Sequence, residues 1–150
     1  MAISNNERIR VWRAFLEAHA TVSQRLDEEL RAERDLPLTW YDVLVNLDEA
    51  DGGRLRMREL AHAVLFSRSG LTRLVERMER DGLVVRERCA DDARGTFAVL
   101  TPAGRRTLRR AAPIHLRGIE QHFSIRLADA DVRAMGAALA KVLRLPPAST

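Results

Sequence analysis

Apolar residues recur along this chain in helical, then strand-like, then helical rhythm. From residue 5 to 33, Ile9, Trp12, Phe15, Leu16, His19, Val22, Leu26 and Leu30 keep three- and four-residue spacing, which predicts one long amphipathic helix. Arg34-Asp35-Leu36-Pro37 ends it, because proline disfavours helical geometry in the residue before it. A second helix is expected from Thr39, with Asp42 three residues on in a capping-box-like arrangement and Val43, Leu44 and Leu47 on its buried face. Asp51-Gly52-Gly53 closes that helix, and Arg54-Leu55 leaves room for a minimal strand. A short helical stretch, Arg56–Ala63, leads into a turn at Val64-Leu65-Phe66. A longer helix then starts at Ser67, placed as N-cap, and stops at Gly82, placed at C′. Its apolar stripe is Leu71, Leu74, Val75 and Met78.

The rhythm changes to β after Gly82. Leu83–Cys89 and Thr96–Thr101 are β-rich runs around a polar loop, Ala90–Gly95, and Phe97 and Val99 alternate with Ala98 and Leu100. Thr101-Pro102 marks a new helix, with threonine as N-cap and proline in the first turn. It runs through Leu108, Ala112, His115, Ile119 and Phe123, and Pro113 should bend it. After a break at Ser124–Ala128, a last helix places Asp129 and Asp131 in its first turn. Val132, Met135, Leu139, Val142 and Leu143 form its stripe, and Pro146–Thr150 reads as a loose tail.

Helix, turn, helix and then hairpin is the order of a winged helix–turn–helix, a device that reads DNA more often than it does anything else. The predicted class is therefore mainly α with a small β-hairpin wing (α+β). The face of the Ser67 helix opposite its stripe carries Arg68, Ser69, Thr72, Arg73 and Arg77, which water or DNA could both satisfy. Arginine can donate two hydrogen bonds to guanine, and serine and threonine can serve base edges or phosphates. Gly70, in the first turn, leaves space for close approach to DNA. For Arg77 an ion pair in the set Arg73–Glu76 or Arg77–Asp81 is the simpler expectation. Long amphipathic helices on both sides exceed what a reading unit of this kind needs. The expected organisation is an N-terminal dimerisation helix (1–36), a DNA-binding domain (37–101) and C-terminal dimerisation helices with a tail (102–150). A monomer with its terminal helices folded back on its own core is the competing arrangement.

Charge sharpens this picture. The net charge is +4, yet residues 1–53 hold 6 basic against 11 acidic side chains, whereas residues 54–110 hold 14 against 7. The positive excess lies on the segment suspected of touching phosphate, where it would add salt-dependent affinity. No apolar run approaches the length of a membrane span and the N-terminus lacks a signal-peptide core, so no membrane association and a cytoplasmic location are expected. A single cysteine, Cys89, rules out an internal disulfide. Neighbouring Arg86 and Arg88 would be the route to a reactive thiol, but a strand-end cysteine is more often structural. His19, His62, His115 and His122 show no metal-ligand spacing, and no nucleophile elbow, phosphate-binding glycine loop or paired-carboxylate site is present. No cofactor, no metal and no enzymatic activity are expected.

The stretches LTWYDVL, GLTRLVERMERDGLV and DDARGTFAVLTPAG, in this order between long helices, closely resemble the MarR family of bacterial transcriptional regulators. The likeness covers about residues 8 to 143. It implies a homodimer of winged-helix protomers that binds a pseudo-palindromic operator in double-stranded DNA, usually as a repressor, and that in many members is released by a small phenolic or anionic molecule. By the same resemblance, Ser67–Arg77 is the recognition helix, with Ser67, Arg68, Ser69, Gly70, Thr72 and Arg73 at the major groove. Asp92 steadies the wing tip and Arg94 enters the minor groove, where a guanidinium suits the negative potential. This chain departs from the family at Asp91 and Ala93, where another arginine is frequent, so wing affinity is expected to be weaker.

The family's ligand cleft would draw on Trp12, Arg13, Trp40, Tyr41 and His115, an aromatic and cationic set suited to a small aromatic or anionic effector. For Trp12 and Tyr41 an alternative is an aromatic that fills the dimer core. Two other functions stay open: a regulator without an effector, and a winged-helix protein-interaction module that has lost DNA binding.

Overall fold

The structure, a computed structural model, describes residues 3–64, 66–91 and 95–144. Its elements are α1 (Asn5–Arg34), α2 (Leu38–Glu49), β1 (Arg54–Arg56), α3 (Met57–Ala63), α4 (Arg68–Arg80), β2 (Val84–Arg88), β3 (Thr96–Leu100), α5 (Pro102–His122) and α6 (Asp129–Leu143). The three strands form an antiparallel sheet in the order β1-β3-β2, with Arg54 opposite Val99 and Val85 opposite the same residue from the other side. The minimal strand expected at Arg54-Leu55 is therefore real. No helix among the described residues is long and apolar enough to cross a membrane.

The chain divides into two compact units, Leu26–His115 and Met1–Arg25 with Leu116–Thr150. The first holds the winged helix–turn–helix around one core. Leu44 and Leu47 of α2, Leu60 of α3, Val75 and Met78 of α4 and Ala98 of β3 are all fully buried. The stripe read in α4 is the buried one, and in β3 Ala98 and Leu100 face inward while Phe97 and Val99 are half-buried. Strand alternation thus separates the two faces of the hairpin as the pattern predicts.

One helix start differs from the expectation. α2 begins at Leu38, not Thr39, its N-cap position is Pro37, and no side chain of its own caps it. Asp27 of α1 does so instead: its Oδ1 accepts the Leu38 N–H at 2.8 Å while its Oδ2 accepts Arg31 Nε at 2.7 Å. A carboxylate eleven residues upstream satisfies a donor that the local sequence leaves orphaned. Asp35, at φ 51°, turns the chain out of α1 in the left-handed region that aspartate tolerates better than most residues.

The start of α5 is a seam between helix and hairpin. The Thr101 Oγ1 accepts the Gly104 N–H at 3.0 Å, as an N-cap should, and also donates to the Gly82 carbonyl at 2.6 Å. The Thr101 N–H reaches the Leu83 carbonyl at 3.2 Å. Gly104 is buried here, and a Cβ on it would collide with the Leu83 carbonyl oxygen. Helix α5 continues across Pro113 to His122.

In the other unit, Ser4 Oγ accepts the Glu7 N–H at 3.2 Å and Glu7 Oε2 accepts the Ser4 N–H at 3.4 Å, a reciprocal cap at the start of α1. Asp131 Oδ2 accepts the Ala128 N–H at 3.0 Å at the start of α6. The apolar stripes of these segments stay open in the single chain: Trp12, Phe15, Leu16, Val132 and Met135 are exposed, and Trp12 and Phe15 stack with ring centres 6.1 Å apart.

Candidate nucleic-acid interface

Helix α4 presents the polar residues singled out in the sequence along its solvent side. Ser67 is its N-cap, with its Oγ accepting the Gly70 N–H at 3.1 Å. The Ser67 and Ser69 hydroxyls lie 3.5 Å apart, and Thr72 Oγ1 donates to the Arg68 carbonyl at 2.9 Å. Arg68, Ser69, Thr72 and Arg73 are all exposed, and among the described residues neither Arg68 nor Arg73 forms an ion pair. Gly70 is also part of the cap. A Cβ there would press on Ser67 Oγ at 3.0 Å and the Phe66 ring at 3.4 Å, so a side chain would disturb the cap itself. Asp92 and Arg94, the wing residues of the sequence reading, lie outside the described residues, as does Leu65 of the turn.

The first turns of α3 and α4 and the root of the wing enclose a cleft of about 360 Å³. Met57 and Leu71 supply apolar lining, Thr72, Gly95 and Thr96 lie along it, and four arginines, Arg56, Arg58, Arg68 and Arg86, complete it. Of these, only Arg68 stood out in the sequence as a DNA-facing group, Arg86 having been considered only as a neighbour of Cys89. The helical wheel of α4 has no means of bringing in α3 and β1, although the alternation Arg54-Leu55-Arg56 and the basic Arg58 were visible. Arg54 and Arg56 also stack on Phe97, 4.2 Å and 5.5 Å from its centre, which holds both on the open side of the sheet.

Arg86 is differently placed. It donates Nε and Nη2 to Glu79 Oε1 at 3.2 and 3.0 Å and Nη1 to Glu76 Oε1 at 3.3 Å. Its backbone N–H also donates to Glu79 Oε2 at 2.7 Å. That backbone donor, and then the guanidinium, hold the Glu79 carboxyl below the usual carboxylate range. The helical spacing Arg73–Glu76 suggested a different partner for Glu76, and the fold overrides it: the carboxylate belongs to Arg86, ten residues away on β2. With its guanidinium turned to two glutamates, Arg86 does not serve Cys89, whose side chain is buried at the end of β2. Among the described residues no cluster of three or more histidine, cysteine and acidic side chains could hold a metal ion.

Of the residues considered for a ligand, Tyr41 and His115 come together, their rings tilted and 4.2 Å apart. Tyr41 is buried and Trp40 packs half-buried against the same core. Burial lowers the His115 pKa below 6.5 and raises that of Tyr41 above 10, so both rings are neutral near pH 7. Among the described residues, His115 Nδ1 is buried and without a hydrogen-bond partner. Trp12 and Arg13 are exposed and belong to the other unit.

Comparison with known proteins follows the same lines. The sequence profile of the MarR family matches residues 34–95. The crystal structure of AbsC, a MarR family transcriptional regulator from Streptomyces coelicolor, is 37% identical, with 96% of this chain and 98% of that one covered at a TM-score of 0.82. Sco3205, a MarR family transcriptional regulator from the same organism solved in complex with DNA, is 35% identical over 99% of this chain and 94% of that one, with a TM-score of 0.86. An uncharacterised HTH-type transcriptional regulator of Bacillus subtilis, YkoM, is 28% identical over 83% of this chain and 82% of its own length.

Proposed function

The chain belongs to the MarR family of transcriptional regulators, and we propose that it acts as a homodimeric repressor on a pseudo-palindromic operator. The observation that carries the DNA reading is the first half of α4: a capped helix start whose exposed face offers Arg68, Ser69, Thr72 and Arg73, with Arg68 and Arg73 free of ion pairs among the described residues. A recognition helix needs unspent donors at its N-terminal end, and this one has them. Arg94 is assigned to the minor groove and Asp92 to steadying the wing tip, on the match of Asp92-Ala93-Arg94-Gly95 to the family's wing. DNA bound to Sco3205, a relative at 35% identity, supports the same partner for this chain.

Dimerisation is assigned to the helices within 1–36 and 102–150. Their exposed stripes, Trp12, Phe15 and Leu16 on α1 and Val132, Met135 and Val142 on α6, are what a second copy would cover. Two copies of α4 would then meet half-sites about one DNA turn apart. For the effector, Trp40, Tyr41 and His115 are this chain's contribution to a site for a small aromatic or anionic molecule. His115 Nδ1, buried beside a phenol and without a hydrogen-bond partner among the described residues, supports that choice. Such a molecule releases DNA only if it binds the non-reading arrangement of the dimer more tightly than the reading one.

Fluorescence anisotropy with DNA from upstream of the protein's own gene and with a scrambled duplex, across a salt series, tests the core of this proposal. Preference for the native fragment at every salt, with affinity falling as salt rises, is expected. Absence of binding even at low salt would overturn it. Aromatic acids added to the complex then test the effector, with release of DNA and a raised Tm as the expected pair of results.

A further inference from the structure

The structure assigns Glu79, assisted by Glu76, the role of a positioning residue that sets the wing at its working angle to the reading helix. β2 lies at one edge of the sheet, paired with β3 on one side only. It is followed by the loop that holds Arg94, and the loop is closed at its base by the Cys89 N–H bonding the Gly95 carbonyl at 2.9 Å. Between α4 and β2 the chain turns at Gly82, where φ is +77°. The hairpin is anchored through buried Val84, Ala98 and Leu100 and through Thr101 on the Gly82 carbonyl, but in β2 only Val84 is buried and Val85–Arg88 are exposed.

Glu79 ties this exposed part of the strand to the helix. One carboxylate takes three hydrogen bonds from a single residue of β2: the backbone N–H of Arg86 on one oxygen, and Nε and Nη2 on the other. The backbone bond fixes the height of the strand on the helix, and the planar guanidinium fork fixes its rotation. Glu76, one turn back on the same helix face, holds the guanidinium from the other side at 3.3 Å. These bonds commit three of the five guanidinium donors, so Arg86 lines the cleft without being a free DNA-reading group. Its single positive charge also offsets half of the negative charge of the two carboxylates that would otherwise repel phosphate beside the reading face. Glu79 acts through the wing, and the inference therefore rests on the assignment of Arg94 to the minor groove.

A double-mutant cycle tests it. Glu79→Ala, Arg94→Ala and the double variant are measured for affinity on a duplex that the wild-type protein selects from a random library, and thermal unfolding is recorded in parallel. Arg94→Ala is expected to weaken binding about tenfold. Glu79→Ala is expected to cost about fivefold in the wild-type background and less than about twofold once Arg94 is gone. Glu79→Gln keeps one acceptor for the Arg86 N–H but turns an amide NH2 toward the guanidinium, so it should recover only part of the loss. If Glu79→Ala fails to fold, Arg86→Lys replaces it in the cycle: it keeps the charge and the backbone donor but loses the fork, and its coupling to Arg94→Ala has the same sign. Equal losses with and without Arg94 would overturn the positioning role while leaving the wing assignment intact. An Arg94→Ala variant that binds as tightly as wild type would instead sink the wing assignment, and the inference with it.

Discussion

In Leu26–His115, Leu44, Leu47 and Leu60 are wholly buried, whereas in the segments at the two ends of the chain Trp12 is 57% exposed and Leu143 83%. Both regions have apolar residues at the same helical spacing, so periodicity alone would rank them alike. The difference lies in what faces each stripe. The stripe of α4 meets residues of α3 and the sheet in one core, while the outer stripes of α1 and α6 remain open in a single chain. A periodic pattern therefore announces that a helix has an apolar face but leaves open what covers it. For the reading unit the partner is intramolecular, and for the outer helices we have proposed a second copy.

The sharpest way to break this comparison is to remove a side chain from each region. Leu44→Ala should cost about 2–5 kcal/mol in chemical unfolding, because it leaves a cavity in a closed core. Should it cost no more than a surface change, the core would not be the continuous one described. Gly104→Ala comes next, at about 1–3 kcal/mol, since the new methyl meets a backbone carbonyl that cannot rotate away. A Tm equal to wild type would show that the seam between α5 and the hairpin gives way easily. The pair Trp12→Ser and Phe15→Ser should act differently, costing about 0.5 kcal/mol or less in the unfolding of the dilute chain. Light scattering should nevertheless show the mass fall from two chains to one. An unchanged mass would contradict the assignment of this face to a second copy.

The smallest effect concerns pH. Burial holds His115 below its ordinary pKa, so the folded protein keeps it neutral while the unfolded chain protonates it near 6.5. Its contribution is complete above pH 6.5 and is lost as pH falls from there through the folded value. Glu79, held below 4.5, begins to lose its contribution only at more acidic pH than the onset for His115. Stability measured at pH 7.5 and 5.5 should fall in the wild type, and the drop should shrink in His115→Phe, which keeps a ring against Tyr41. An equal drop in both proteins would show that this imidazole does not titrate as its burial requires.

Much of the reading unit was legible in its residues. Ser67, Gly82, Thr101 and Pro102 mark helix ends through backbone chemistry within a few residues, and each stands where that chemistry predicts. The cap at Ser4 and Glu7 was equally visible as Ser-x-x-Glu, although only the helix after it was read. The exposed face of α4 could be listed residue by residue, because a 3.6-residue period separates the two sides of a helix. Less of the cleft beside it could be anticipated, since Arg56, Arg58 and Arg86 come from three further elements.

By itself, then, the sequence determined what depends on near neighbours along the chain: the order of helices and strands, their caps, the side of each that is apolar, and the surplus of positive charge over residues 54–110. Only the tertiary structure decided which charges are spent. Asp27 caps a helix eleven residues away, Asp48 pairs with Arg105 across 57 residues, and Arg86 is taken by Glu79 and Glu76 rather than left to DNA or to Cys89. The physical reason is range. A cap or a stripe is settled by one turn of backbone, but a long side chain has many partners of opposite charge, and the one it keeps is the one the packing of distant elements brings within hydrogen-bond reach.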